Sequence, residues 1–119
     1  MPVPTSPKRS SQRHPSEARA AWWYRLRGYR VLDRNVWCAG AELDLVVRRG
    51  RVLAFVEVKS KAGTGYGDPL EMVTPVKVER IRRAALAWLA VRPSLGRLQL
   101  RFDVAAERAG RMEVLQDAF

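Results

Sequence analysis

Apolar residues recur along this chain with two periods, and the change from one to the other marks the elements. From Pro15 the period is helical, with Ala18, Trp22 and Leu26 spaced by four as a core-facing stripe. Ser16 is placed to cap this helix, Glu17 falls in its favoured acidic first turn, and Gly28 is the stop signal. Tyr29 to Val36 then reads as a strand centred on Val31 and Leu32. Glu42 to Val47 and Val52 to Val58 read as a hairpin turning through Arg48-Arg49-Gly50-Arg51. Residues 62–72 contain Gly63, Gly65, Gly67 and Pro69 and predict a flexible loop.

Thr74-Pro75 opens a second helix, with a capping hydroxyl and a proline at the first helical position. Val78, Ile81, Ala85 and Trp88 form its core stripe, and Pro93 ends it. Leu98, Leu100, Phe102 and Val104 alternate with Gln99, Arg101, Asp103 and Ala105, the pattern of a half-buried strand. Met112 to Leu115 predicts a last edge strand after Gly110. The order α-β-β-β-α-β-β implies an α/β fold, a mixed central sheet of about five strands flanked by helices. Residues 15–119 make one domain. Residues 1–14, with Pro2, Pro4, Pro7, Lys8, Arg9 and Arg13, read as a disordered basic tail.

Charge narrows the function. Lys and Arg number 22 against 12 Asp and Glu, giving a net charge of +10 in 119 residues. Such an excess points to a polyanionic partner, with nucleic acid the first candidate and simple over-basicity of the protein the alternative. Cys38 is the only cysteine, so internal disulfides and multi-cysteine zinc sites are excluded. It reads as a semi-buried thiol. No stretch approaches the ~20 apolar residues of a membrane span, and the N-terminus has no signal-peptide core, so a cytoplasmic location is expected.

The hairpin carries the chemistry. Glu42 and Asp44 lie two apart on one strand, Glu57 and Lys59 two apart on the next, so each pair is expected to share a face. Leu43, Leu45, Val56 and Val58 are then expected to point the other way. Carboxylates set in aliphatic runs are tolerated when paired or metal-bound. With a Lys beside them they suit Mg²⁺ or Mn²⁺, which activate water and brace a phosphodiester. Asp44, a gap of twelve, then Glu57-x-Lys59 has the form of the D…(D/E)-x-K nuclease signature. Glu42 either orients a metal-bound water or is an edge residue. Lys77, Arg80 and Arg83, three apart on the second helix, form a ridge that either contacts phosphates or is a solvated face. Asp103, beside Arg101, reads as a structural ion-pair residue.

The wider sequence resembles the YraN-like uncharacterised protein family within the restriction-endonuclease-like, PD-(D/E)xK superfamily. The residues that carry the resemblance are Glu17, Gly28-Tyr29, Leu32 through Asn35, Glu42-Leu43-Asp44-Leu45 and Phe55-Val56-Glu57-Val58-Lys59. Lys77, Arg101-Phe102-Asp103-Val104 and Ala118-Phe119 extend it, so that it covers residues 16–119. The family is similar to archaeal Holliday-junction resolvases in fold and acidic site. The resemblance implies that Asp44 and Glu57 are metal ligands, that Lys59 positions or activates the attacking water, and that Glu17 is brought in by the first helix. Ala41 stands where the family has glycine, and Lys61 where Arg is more usual. The expectation is therefore a Mg²⁺- or Mn²⁺-dependent DNA endonuclease, selective for branched DNA. Its catalytic residues would be Asp44, Glu57, Lys59, Glu17 and Glu42, with Lys61, Lys77, Arg80 and Arg83 on the nucleic acid. A branched substrate would call for a homodimer, since two strands are cut symmetrically. The rival expectations are a nucleic-acid-binding module with little turnover and a basic adaptor protein.

Overall fold

The computed structural model describes residues 8–9, 15–61 and 74–119. Its sheet has the order β1-β2-β3-β4-β5-β6. The strands are β1 (Lys8–Arg9), β2 (Arg30–Cys38), β3 (Ala41–Arg49), β4 (Val52–Lys61), β5 (Gln99–Arg108) and β6 (Arg111–Leu115), and the helices are α1 (Pro15–Arg25) and α2 (Pro75–Ala90). β2, β3 and β4 form an antiparallel meander. α2 then crosses over, and β5 runs parallel to β4 from Val52↔Gln99 to Lys61↔Arg108. β6 turns back antiparallel on β5. The five long strands and two helices follow the expected order. β1 adds a two-residue antiparallel edge to β2, inside the segment read as a tail. The predicted glycine-rich loop at 62–72 lies outside the described residues. Among those described, no helix is long and apolar enough to cross a membrane.

α2 covers one face of the sheet. Thr74 caps it through a hydrogen bond from the Lys77 amide (3.2 Å), with Pro75 opening the helix. Ile81, Ala84, Ala85 and Trp88 pack on Val36, Leu43, Val46, Leu53 and Phe55. Trp88 is fully enclosed; its indole N–H donates to Asp33 (3.0 Å), and the Arg92 guanidinium lies 4.0 Å over its ring. Cys38 is buried on this side, and burial pushes its thiol pKa up, which suits an inert thiol.

α1 covers the other face, but not with the expected stripe. Its buried residues are Ser16, Glu17, Ala20, Ala21 and Tyr24, whereas Trp22 is 59% and Leu26 75% exposed. Ser16 is the second helical residue rather than the cap. Two small alanines let the helix sit close to the sheet, and the Tyr24 hydroxyl has a buried destination. It donates to Asp103 (2.6 Å), and its ring meets Tyr29 edge-on at 5.0 Å. That polar anchor outweighs the greater hydrophobicity of Trp22 and Leu26. Gly28, at φ +88°, reverses the chain into β2 in a conformation that disfavours side chains.

The same anchor corrects the reading of β5. Asp103 is not on a polar face; it is completely buried, and Asp103 to Ala106 are buried without interruption because both faces of the strand are covered. Its ion-pair role is as expected. Arg101 clasps it through Nε and a terminal nitrogen, both at 2.9 Å, and the Asp117 amide donates at 3.0 Å. Leu98 precedes the strand, and Leu100 is exposed near its start.

Candidate functional site

The site forms where β3 and β4 part. Their pairing runs from Arg49↔Val52 only as far as Leu45↔Val56. At the next step the ladder gives way, and the Val58 amide donates instead to Asp44 Oδ2 at 2.9 Å. A side-chain oxygen has taken the place of a backbone acceptor. The alternation along β3 changes here too. Leu43 enters the core under α2, while Leu45 joins Val56 and Val58 in the core under α1. Leu43 and Leu45 therefore do not share a face, contrary to expectation, because strict period-two alternation requires an unbroken ladder.

Glu57 and Lys59 do project together from β4. Lys59 Nζ lies 2.8 Å from Glu57 Oε2, and Lys77 Nζ reaches the same oxygen from α2 at 3.7 Å. Glu42, Asp44 and Glu57 line one cleft of about 260 Å³. Lys77, Arg80 and Ile81 of α2 supply one wall, and Trp37 of β2 another part of the lining. The third residue of the expected basic ridge, Arg83, is exposed and does not line the cleft. The Lys61 side chain lies outside what is described.

The electrostatics are those of crowded like charges relieved by cations. Burial, then the Glu57 charge, pushes the Asp44 pKa up to about 8, with Glu17 and Glu42 adding to the rise and the Val58 hydrogen bond opposing it. Glu17 thus acts electrostatically on Asp44 from the buried face of α1, although it does not line the cleft. Lys59 is raised: burial disfavours its charge, but its hydrogen bond to Glu57 and the neighbouring carboxylates prevail. Lys77 is lowered, first by the close approach of the Lys59 ammonium and then by burial.

Two residues near the carboxylates were not singled out by sequence reasoning. Trp37 falls one residue beyond the strand expected from Tyr29 to Val36, whereas β2 runs on to Cys38. Asn35 lies on β2 between the pairs Arg34↔Leu45 and Val36↔Leu43, and therefore across from Asp44. It is 6% exposed, has φ 49°, and among the described residues its Oδ1 has no hydrogen-bond partner. Buried polar atoms in that condition, on a backbone outside the usual regions, are uncommon and cluster at functional sites. A polar Asn inside an otherwise apolar strand was the available signal.

Among the described residues no group of three or more His, Cys, Asp and Glu side chains is arranged to hold a metal ion. Mg²⁺, however, is commonly held by one or two carboxylates, the rest of its shell being water and substrate phosphate. Asp44 and Glu57 meet that lesser requirement in donor type, and the difficulty of ionising Asp44 beside Glu57 is one that a bound cation would relieve.

Comparison with known proteins adds the following. A model of the uncharacterised protein family UPF0102 matches residues 16–106. A UPF0102 protein of Geobacter sulfurreducens is 47% identical over 105 residues, covering 84% of this chain and 80% of its own. One of Beutenbergia cavernae is 43% identical over 98 residues, 80% and 82% of the two chains. One of Bordetella avium is 40% identical over 111 residues, 93% and 76% of the two chains.

Proposed function

The chain belongs to the uncharacterised protein family UPF0102, and from that premise we propose that it is a Mg²⁺- or Mn²⁺-dependent DNA endonuclease of restriction-endonuclease-like type. The observation that carries the reading is Asp44 at the parting of β3 and β4, lining with Glu57, the ion-pair partner of Lys59, a cleft that Lys77 and Arg80 also line. Asp44 and Glu57 would hold the cation, which when bound supplies a Lewis acid and a water of lowered pKa. Lys59, protonated at neutral pH, donates to the oxygen that gains charge as the phosphodiester is attacked. Lys77 and Arg80 draw the phosphate into the cleft. Glu42, at its edge, orients water. Glu17 enforces the high proton affinity of Asp44, and so its demand for a counter-ion.

The test is incubation with duplex, single-stranded, flap and four-way DNA in Mg²⁺, Mn²⁺ or EDTA. Metal-dependent cleavage is the expected result. Binding in EDTA should weaken steeply with salt, with log K against log[salt] sloping about −4 to −5 if some five phosphates are neutralised. A flat salt response would point to an adaptor for an acidic protein.

A second reading is favoured by one observation. The Glu57 carboxylate is already engaged by two ammoniums, Lys59 and Lys77, and such a site can bind DNA without turning it over. Salt-dependent binding with no cleavage of any substrate in either metal would make the protein a binding module.

A further inference from the structure

We infer that the cleft contains a nucleobase site built on Trp37, and that it takes an unpaired base of a DNA strand at a flap, gap, junction or single-stranded run. The inference rests on the nucleic-acid reading above and deepens it, from the polymer to the form of the strand.

Trp37 is 48% exposed, although β1 pairs with β2 at this position, Lys8 opposite Trp37. On the other side its Cα partner is Glu42 of β3, so the indole stands at the lip of the carboxylate cleft. The protein treats its other tryptophans differently. Arg25 lies over Trp22 at 5.9 Å, Arg27 over Trp23 at 3.7 Å and Arg92 over Trp88 at 4.0 Å. Among the described residues, neither a guanidinium nor another ring covers Trp37. An isolated exposed apolar side chain needs no explanation. An uncovered indole beside three carboxylates and two cations is a different matter, since those groups suit the other parts of a nucleotide.

The arrangement matches one nucleotide in kind and size. Trp37 offers a flat face for a base; Lys77 and Arg80, on the α2 wall, offer charge to a phosphate; Asp44 and Glu57 lie in the same cleft. Its 260 Å³ is below the roughly 300 Å³ at which clefts for drug-sized ligands begin, a scale suited to a group the size of one base. In a duplex both faces of every base are covered by neighbours. Only a base out of the stack can meet the indole, and stacking of this kind tolerates any sequence.

The experiment measures binding in EDTA of a single-stranded oligonucleotide and a duplex of equal length to wild type, Trp37→Ala and Trp37→Phe. Trp37→Ala should lower the ratio of single-strand to duplex affinity by about 5- to 150-fold, the range expected for one lost stacking partner. Trp37→Phe should restore most of the ratio and should remove most of the tryptophan quenching that single strand causes in wild type. Circular dichroism confirms that each variant is folded. An unchanged ratio in folded Trp37→Ala, or full quenching in Trp37→Phe, overturns the base site while leaving the nucleic-acid reading intact. Wild type that binds neither oligonucleotide overturns both.

Discussion

Asp44→Asn abolishes metal-dependent cleavage and, in EDTA above neutral pH, makes the folded protein more stable than wild type. Both effects have one origin. The folded Asp44 holds its proton up to about pH 8, against about 3.9 for an unfolded Asp. A raised folded pKa contributes stability that is fully present below about pH 4, declines as pH rises, and is gone above about pH 8. Asparagine keeps the shape and an oxygen for the Val58 amide but never ionises. Its advantage therefore grows from pH 4 and levels off above pH 8. We expect about 2–4 kcal/mol there, less than the whole shift converts to because the cleft is open to water. Urea unfolding at pH 5, 7 and 9 measures it. Mg²⁺ or Mn²⁺ should then raise the wild-type melting temperature and leave that of Asp44→Asn unmoved, since only the former gains a ligand-linked term. Lys59→Ala should also lose cleavage, by at least about a hundredfold, yet keep the metal-induced rise. Folded Asp44→Asn that cuts at the wild-type rate would place the activity elsewhere.

The largest loss of stability is expected at Asp103. Its carboxylate, with no exposure, gathers Arg101, the Tyr24 hydroxyl and the Asp117 amide. Asp103→Ala leaves a guanidinium and a phenol facing a cavity, a change that costs about 3–5 kcal/mol when a buried pair is broken from one side. Asp103→Asn keeps the volume and one acceptor and should cost less. The urea midpoint should fall with the slope unchanged. Tyr24 belongs to α1, so the helix loosens first, and Glu17 with it. A shift below about 1 kcal/mol would mean that apolar packing alone holds α1.

The contrast between α1 and α2 explains what could be read in advance. In α2, Val76 and Leu86 are exposed, yet Ile81, Ala85 and Trp88 recur at helical spacing and are buried, so the period alone announces the face. In α1 the buried set is Glu17, Ala20, Ala21 and Tyr24, chosen by close approach and by a hydrogen bond to a residue 79 positions away. No local pattern records a partner that distant. Asp103 was misplaced for the same reason: alternation along β5 cannot show that a helix roofs its second face. At the site, Asp44, Glu57 and Lys59 were visible because the hairpin joins them in a short stretch of chain. Arg83 looked equivalent to Lys77 and Arg80 by spacing, but a helix rotates each third residue further from the cleft. Asn35 was hidden in a strand of mixed composition, and Trp37 lay one residue past that strand's expected end. What singles them out is a φ angle and a neighbour across the sheet.

The bond from the Val58 amide to Asp44 makes one main-chain proton a gauge of the site. Most amide protons in the sheet report on the ladder, although the Arg34 amide also donates to a carboxylate, that of Asp33. The Val58 proton is held by a group that can be neutral, ionised or shared with a cation. Its magnetic resonance frequency should move as pH crosses about 8, and move again as Mg²⁺ is added, with no DNA or turnover required. The protein thus carries an internal indicator of what its carboxylates hold.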